Sequence, residues 1–440
     1  MHANPELPEL ASPFEGRKLS IFDHLSISCF WFATNFLWGA MIPLVIPRAM
    51  EVLAPGKSAW ASGWLVSMGA VVALIVPLFA GALSDRCASR WGRRRPYLAT
   101  GVAIAVVGLA ILASGVQDGR IGVFFLGYLI MDVGINIAAA AFSGIIPDVV
   151  PHDQRGIASG YMAVMTFAGV VAGTLIVGTL IKDDRMPLAI GSMMLVLSLL
   201  MGIALVRVKE TPLPECPPRL KWGAYLKSLW IDPRKYPDFA WVWLTRALVM
   251  FGFYTVSPYL VYYLHDVIGI AHKDAPQVAG QVLALLILGA AATALVGGAI
   301  SDRIGRKRVV YLANGLMAAM AFAFAFASNI YVVLVLGFVF GLGYGAYASV
   351  DWALGTDVLP SQAQAGKDMA IWHVAQVLPQ TVSARVGSLF LGAFGTWVSV
   401  SPEGKTVTHY ANAGYTAMFL LAAVFLLLGA VLLRNVRGVR

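Results

Sequence analysis

Charge is what this 440-residue chain has least of: 12% of its residues are Asp, Glu, Lys or Arg, while 59% are apolar. A water-soluble globule carries about a quarter charged residues, so that class is excluded and the composition describes a polytopic membrane protein. Cysteine is nearly absent. Cys29, Cys87 and Cys216 are the only three, all at or near the side assigned below to the cytoplasm, so no structural disulfide is expected. The first twenty residues have no apolar core followed by a small-residue cleavage site, which makes the first span the expected anchor rather than a removable signal. Neither a GxxxxGK[ST] loop nor an HExxH pair occurs, so ATP-driven transport and zinc hydrolysis are without support, and no cysteine–histidine cluster has metal-ligand spacing. An enzyme is not expected, nor a resident metal or cofactor.

What the chain has in abundance is long apolar runs. Segments of roughly 20 residues, enough to cross a bilayer, fall at about 25–47, 60–82, 97–116, 121–146, 157–181, 187–206, 239–264, 277–300, 309–328, 331–355, 369–397 and 411–433. Twelve spans put both termini on one side. The net charge of +9 is then a topology signal rather than a footprint for nucleic acid: 23 Lys and Arg fall on the side of the termini, 7 on the other, and Arg246 and Arg385 lie within spans. This is the positive-inside bias, so both termini are expected in the cytoplasm. The stretch 207–237 is the one long polar connection, rich in proline and basic residues. It reads as a linker between an N-terminal six-helix half (1–206) and a C-terminal half (238–440), with a short surface helix around Trp222 to Trp230.

One loop is repeated. Gly81 to Pro96, GALSDRCASRWGRRRP, has a weaker copy, GGAISDRIGRKR, at Gly297 to Arg308. Each copy lies between two apolar runs, so its arginines sit in water or among lipid headgroups beside buried helices. The carboxylate of the Ser-Asp-Arg triplet suits capping of a neighbouring helix N-terminus or pairing with an arginine, a lock that must break when helices move. Asp85, Arg86 and Arg95 in the first loop, Asp302 and Arg303 in the second, and Arg246 in span 7 are the expected gating residues. A charge run that merely orients helices is the plainer alternative, and repetition in matching positions argues against it. The halves match again at Asp148-Val149-Val150-Pro151 and Asp357-Val358-Leu359-Pro360. Two such halves are expected to form a pseudo-twofold bundle with a substrate site near the midplane, the geometry of alternating access.

Both loops resemble the signature of the major facilitator superfamily between spans 2 and 3 and between spans 8 and 9. In the first, Asp85-Arg86 and Gly92-Arg93-Arg94-Arg95-Pro96 are similar to the sucrose/proton symporters and the glycoside/pentoside/hexuronide cation symporters. The resemblance covers nearly the whole chain. It implies an all-α membrane protein of twelve transmembrane helices in two pseudo-symmetric halves, and secondary active transport by proton-coupled symport of a sugar or glycoside.

An ionisable residue at mid-depth costs about 2.5–3.5 kcal/mol on insertion scales and is a functional candidate by default. Asp132 lies near the middle of span 4, with Asn136 one turn on and Ala139, Ala140 and Ser143 extending the same face. It is the expected proton-coupling residue. The plainer alternative is an aspartate bonded to a neighbouring helix that never titrates. In the resembling family the coupling aspartate of span 4 is followed within about a turn by asparagine, a pattern that Asp132 and Asn136 match. Span 10 carries Tyr344, Tyr347 and Asp351 on one stripe, and the depth of Arg246 in span 7 allows a buried Arg246–Asp351 pair, whose alternative role is a latch between helices. A pyranose offers an apolar face and a ring of hydroxyls that need partners once desolvated. Trp31, Asn35 and Trp38 on span 1, Tyr254 on span 7, and Trp372, Gln376 and Gln380 on span 11 supply such pairs of aromatic and polar groups. Arg385, deep in span 11, meets either a substrate group or the membrane interface. Gly169 and Gly173 form a helix-packing GxxxG pattern.

Departures from the resembling families narrow the reading. Ala61 to Ala80 in span 2 contains no aspartate, unlike the sodium-coupled melibiose-type symporters, which favours protons over sodium. The interior of span 5 has no arginine, where sugar symporters of this group often place one. The alternatives are a proton-coupled exporter of drugs or amphiphiles, against which Gly160 to Thr179 lacks the Gly-Pro signature, and a non-transporting sensor on the same scaffold. The expected setting is a bacterial inner (plasma) membrane, with the chain working as a monomer on a small-molecule substrate in the lipid bilayer.

Overall fold

The computed structural model describes residues 12–54, 58–208, 210–213, 221–271, 274–361, 364–400 and 406–438. Cys216 and the side chain of Arg385 lie outside the described parts. Among the described residues there are twelve long helices: α1 (Ile21–Ala40), α2 (Ser58–Asp85), α3 (Arg95–Gln117), α4 (Ile121–Ser143), α5 (Arg155–Lys182), α6 (Met186–Arg207), α7 (Pro237–Val256), α8 (Ala275–Ile304), α9 (Arg306–Phe324), α10 (Ile330–Asp357), α11 (Ala365–Ala393) and α12 (Asn412–Leu432). Ten are long and apolar enough to cross a membrane. The other two, α9 and α11, carry polar runs, Arg306-Lys307-Arg308 at the start of one and Lys367, Asp368, His373, Gln376 and Gln380 along the other.

Local chemistry sets where these helices begin and bend. Ser20 and Asp23 form a reciprocal capping box at the start of α1, which satisfies donors that the first turn leaves open. Pro43 and Pro47 each lack an N–H. Past Ala40 the helix loosens into a π turn, Met41–Val45, and resumes as Ile46–Leu53. After α7 a 3₁₀ turn, Ser257–Tyr259, leads into a short helix, Leu260–Asp266. The eleventh expected crossing reached residue 397, but α11 stops at Ala393, because Gly395 takes a left-handed backbone (φ 105°). An antiparallel hairpin follows, β1 (Thr396–Val400) and β2 (Thr406–Tyr410), with Trp397 opposite His409.

The chain forms two compact units, Met1–Lys235 with Gly355–Val374, and Tyr236–Leu354 with Ala375–Arg440. In the first, α5 lies directly on α1: a Cβ at Gly169 or Gly173 would collide with the backbone of Phe32 or Phe36. Gly69 brings α2 onto α4 at Tyr128, and Gly134 brings α4 onto α3 at Ala105. The second unit repeats these pairings six helices later. Gly387 of α11 packs on Thr255 in the last turn of α7 and on Tyr259 just after it, Gly341 and Gly345 of α10 on Leu286 and Ala290 of α8, and Gly343 of α10 on Ala313 and Met317 of α9. Both sixes are built to one plan. Gly173→Leu is expected to lower stability by about 1–3 kcal/mol through overpacking against α1, read as a reduced melting temperature in detergent. The linker helix Trp222–Ser228 docks on α2, where the Tyr225 hydroxyl donates to the Leu78 carbonyl and Trp222 packs on Phe79 at 5.7 Å.

Candidate functional site

The first repeated loop folds into a buried charge network within the first unit. Asp85, 2% exposed at the end of α2, accepts the backbone N–H groups of Gly366 (2.8 Å) and Lys367 (2.9 Å) at the start of α11. Those two segments are 281 residues apart in sequence. A carboxylate against the open N–H groups of a helix start is favoured by hydrogen bonding and by the helix dipole. Gly81, one turn earlier, allows the approach, since a Cβ there would strike the Gly366 carbonyl. Arg94 is fully buried and bridges two acids, Asp85 (2.6 Å) and Asp148 (2.8 Å), while Arg93 adds a second guanidinium on Asp148 at 2.5 Å. Glu210 closes the network from the linker by accepting the N–H groups of Arg94 (2.8 Å) and Arg95 (3.1 Å).

Burial works against the charge of Arg94, but Asp148 and Asp85 outweigh it and hold the guanidinium protonated. Burial also pushes the Glu210 carboxyl up to about 7, against the pull of the Arg94 N–H. A carboxyl whose folded pKa exceeds its unfolded value binds its proton more tightly in the fold, so stability falls as pH rises from about 4.5 to about 7. Glu210→Gln is expected to flatten the dependence of melting temperature on pH across that window, and an unchanged slope would count against the assignment. Asp85→Ala is expected to raise amide exchange at Gly366 and Lys367 by about 10- to 100-fold, matching the roughly 1.5–3 kcal/mol of a hydrogen bond to a charged group. Hydrogen–deuterium exchange with mass spectrometry reads this directly, and unaltered protection would remove Asp85 from the cap.

The structure corrects the choice of arginine in this loop. Arg94 holds Asp85, whereas Arg95 points elsewhere, donating to the Leu205 carbonyl at the end of α6 and to Trp91 O at 3.3 Å. Arg86 is half-buried beside the network. In the second copy Asp302 reaches Arg306, four residues on, at 3.7 Å, and Arg303 is exposed. The matching Asp357 lies in the first unit, 3.2 Å from His152 and 3.8 Å from Arg155.

Mid-helix in α4, Asp132 is 1% exposed. Its Oδ1 accepts the Asn136 amide at 2.7 Å, as the one-turn spacing requires, and its Oδ2 has no hydrogen-bond partner among the described residues. Tyr128, one turn before, extends the same face, and Gly69 of α2 opens the space in front: a Cβ there would lie 2.5 Å from the Tyr128 hydroxyl and 3.0 Å from Asp132 Oδ2. Trp38 of α1 meets the Tyr128 ring edge-on at 6.5 Å. Trp31 meets Phe142 edge-on at 6.2 Å, and the Asn35 amide is taken by its own helix, donating to Trp31 O at 2.8 Å.

The second unit holds a separate polar cluster. Asp351 pairs with Arg246 through Oδ2 and accepts the Tyr347 hydroxyl through Oδ1 at 2.7 Å. Arg246 also donates to Gln376 Oε1 at 2.7 Å, and Tyr254 is hydrogen-bonded to Gln376. Tyr344 stacks on Phe253 at 4.9 Å with 13° between the rings. Guanidinium, carboxylate, amide and phenol from α7, α10 and α11 thus meet beside aromatic faces, the mix of groups a polyhydroxylated ligand needs.

Trp372 requires a second correction. It is 0% exposed, with its indole against Gly355 in the first unit, so it is a packed core ring and offers no face to a ligand. Gln376, one turn on, belongs to the cluster above, and Gln380 is exposed. Of the residues that sequence reasoning passed over, Tyr128 was legible, because i−4 from Asp132 is the same helix face. Glu210 was not, since a polar linker gives no sign of which acid turns inward.

A family model described as MFS/sugar transport protein matches residues 51–436. The sucrose transport protein SUC4 of Arabidopsis thaliana is 32% identical over 164 residues, a match that spans 34% of this chain and 31% of that protein's length. The multi-drug resistance efflux pump PmrA of Streptococcus pneumoniae is 26% identical over 85% of this chain and 90% of its own. Among solved structures, a bacterial homologue of the iron transporter ferroportin in its outward-facing state aligns over 94% of this chain and 99% of that one, with a TM-score of 0.73 at 15% identity. The E. coli fucose:proton symporter FucP aligns over 95% and 99%, with a TM-score of 0.69 at 14% identity. Identities this low bear on the fold alone. With a repeated six-helix plan, ten helices apolar enough to cross a membrane and a family match over most of its length, this chain belongs to the MFS/sugar transport protein family and is a multi-pass membrane transporter, not an enzyme.

Proposed function

We propose that this transporter is a proton-coupled importer of a sugar or glycoside, working by alternating access with both termini in the cytoplasm. The observation that carries the reading is Asp132, a carboxylate sealed in α4 with one oxygen bound by Asn136 and the other without a hydrogen-bond partner among the described residues. A buried acid of that kind is where a proton is taken up and released. The sugar would be read by Arg246, Asp351, Tyr347, Tyr344, Tyr254, Gln376 and Gln380 of the second unit. Asp85 on the start of α11 would be the latch that opens on the cytoplasmic side. Support comes from the sucrose transport relative and the family description.

The test is reconstitution into proteoliposomes with an outward-acidic pH gradient and a panel of labelled mono- and disaccharides. Accumulation and counterflow of at least one sugar are expected, and collapse of the gradient should abolish accumulation but not counterflow. A second reading, export of amphiphiles, is favoured by the near full-length match to the efflux pump. Exchange of a cationic dye with none of the sugars would decide for it. Exchange of neither would leave the sensor reading.

A further inference from the structure

At the end of the second unit opposite the chain terminus, two segments far apart in sequence bring two histidines onto one aspartate. The short helix Leu260–Asp266 ends in His265-Asp266, and His409 comes from β2 of the hairpin. Asp266 Oδ1 lies 2.7 Å from His409 Nδ1 and 3.4 Å from His265 Nδ1, and the three ligand-capable atoms all fall within 4.8 Å of one another. The other oxygen of Asp266 is already committed. Oδ2 accepts the Tyr410 N–H at 3.0 Å and the Tyr415 hydroxyl at 2.7 Å. The carboxylate is therefore held in one orientation, with Oδ1 turned toward the two imidazoles. His409 is fixed too, its ring stacked on Trp397 at 5.4 Å and set edge-on to His265 at 4.9 Å.

We propose that His265, Asp266 and His409 form a binding site for a divalent transition-metal ion of the zinc class, which clamps the hairpin to the segment that follows α7. Two imidazole nitrogens and one carboxylate oxygen are the donors that zinc and its neighbours prefer, whereas calcium and magnesium take oxygen ligands. The hydrogen bonds on Oδ2 are the outer contacts that commonly orient a ligating carboxylate. Metal–ligand bonds of about 2.0–2.2 Å in tetrahedral geometry set ligand atoms roughly 3.3 Å apart. The His265 pair already has that spacing. The His409 pair opens by about half an ångström when the ion replaces the proton shared with Asp266. Three protein ligands leave the fourth position to water, on the side where His265 is 23% exposed. The site is separate from the Arg246–Asp351 cluster and from Asp132, so it does not depend on the nature of the transported substrate.

The experiment uses full-length protein without a polyhistidine tag, purified in detergent, stripped with EDTA and titrated with zinc chloride in a calorimeter, with melting temperature followed in parallel. Wild-type protein is expected to take up one zinc per chain at micromolar concentration and to melt several degrees higher with zinc than with EDTA. His265→Ala and His409→Ala should each lose at least about 10- to 100-fold in zinc affinity, a loss already seen for outer-contact changes at metal sites. His265→Ala is the decisive variant, because it leaves in place the Asp266 bonds to His409, Tyr410 and Tyr415 that anchor the hairpin. Absence of a stoichiometric zinc in wild type, equal affinity in His265→Ala, or an equal response to magnesium would each overturn the site.

Discussion

Asp132→Asn is expected to abolish uptake driven by a proton gradient while leaving equilibrium exchange of substrate within a few-fold of wild type. An asparagine oxygen still accepts the Asn136 amide that now sits 2.7 Å from Oδ1, so the local hydrogen bond survives. The amide nitrogen enters the space of Oδ2, which has no hydrogen-bond partner among the described residues and faces Gly69 of α2. What is lost is the proton. A neutral amide imitates the protonated acid but has nothing to discharge, so the carrier shuttles substrate without being able to couple it. Uptake and exchange are measured on the same proteoliposomes, with melting temperature as the check on folding. Gradient-driven uptake at the wild-type rate would take the coupling role from Asp132, and loss of both activities with an intact fold would place it in substrate binding.

Arg246→Met is expected to lower stability by about 3–5 kcal/mol, because it leaves the Asp351 carboxylate buried beside the Tyr347 hydroxyl without its counter-charge. Gln376 loses its guanidinium donor as well. A double variant, Arg246→Met with Asp351→Leu, should recover most of the stability, since a buried ion pair is often replaceable by apolar residues of similar volume. The double variant also separates two roles. If the pair is only a latch between α7 and α10, restored stability brings restored transport. The reading favoured above is that guanidinium and carboxylate meet substrate hydroxyls, so the double variant should fold and bind no sugar. Recovery of transport would assign the pair to structure alone, and an unchanged melting temperature in Arg246→Met would show that the pair is not desolvated as its 3% and 8% side-chain exposures indicate.

Much of the candidate site was legible residue by residue, and the reason is periodicity. Tyr347 bonds Asp351 and Asn136 bonds Asp132 because residues four apart share a helix face. Asp85 at a helix start was legible as a chemical type, a carboxylate suited to open N–H groups, but not as a partner, since Gly366 lies 281 residues away. Arg94 and Arg95 are adjacent and identical in sequence terms. Only the direction that each takes at the start of α3 sends one to Asp85 and Asp148 and the other to the end of α6. Trp372 looked like a ligand platform from its spacing to Gln376, yet packing against Gly355 put it in the core.

The sequence by itself determined that this chain crosses a membrane many times, that its two halves repeat one plan, and that Asp132, Arg246 and Asp351 are charges worth explaining. Those properties follow from apolar run length, from repeated loops and from the cost of charge in hydrocarbon, all of which act locally or by composition. Tertiary structure decided which arginine serves Asp85, which tryptophan is core, and that His265 and Asp266 meet His409 across 144 and 143 residues. Contacts over such separations depend on how helix ends and the hairpin are brought together, and no period in the sequence encodes that meeting.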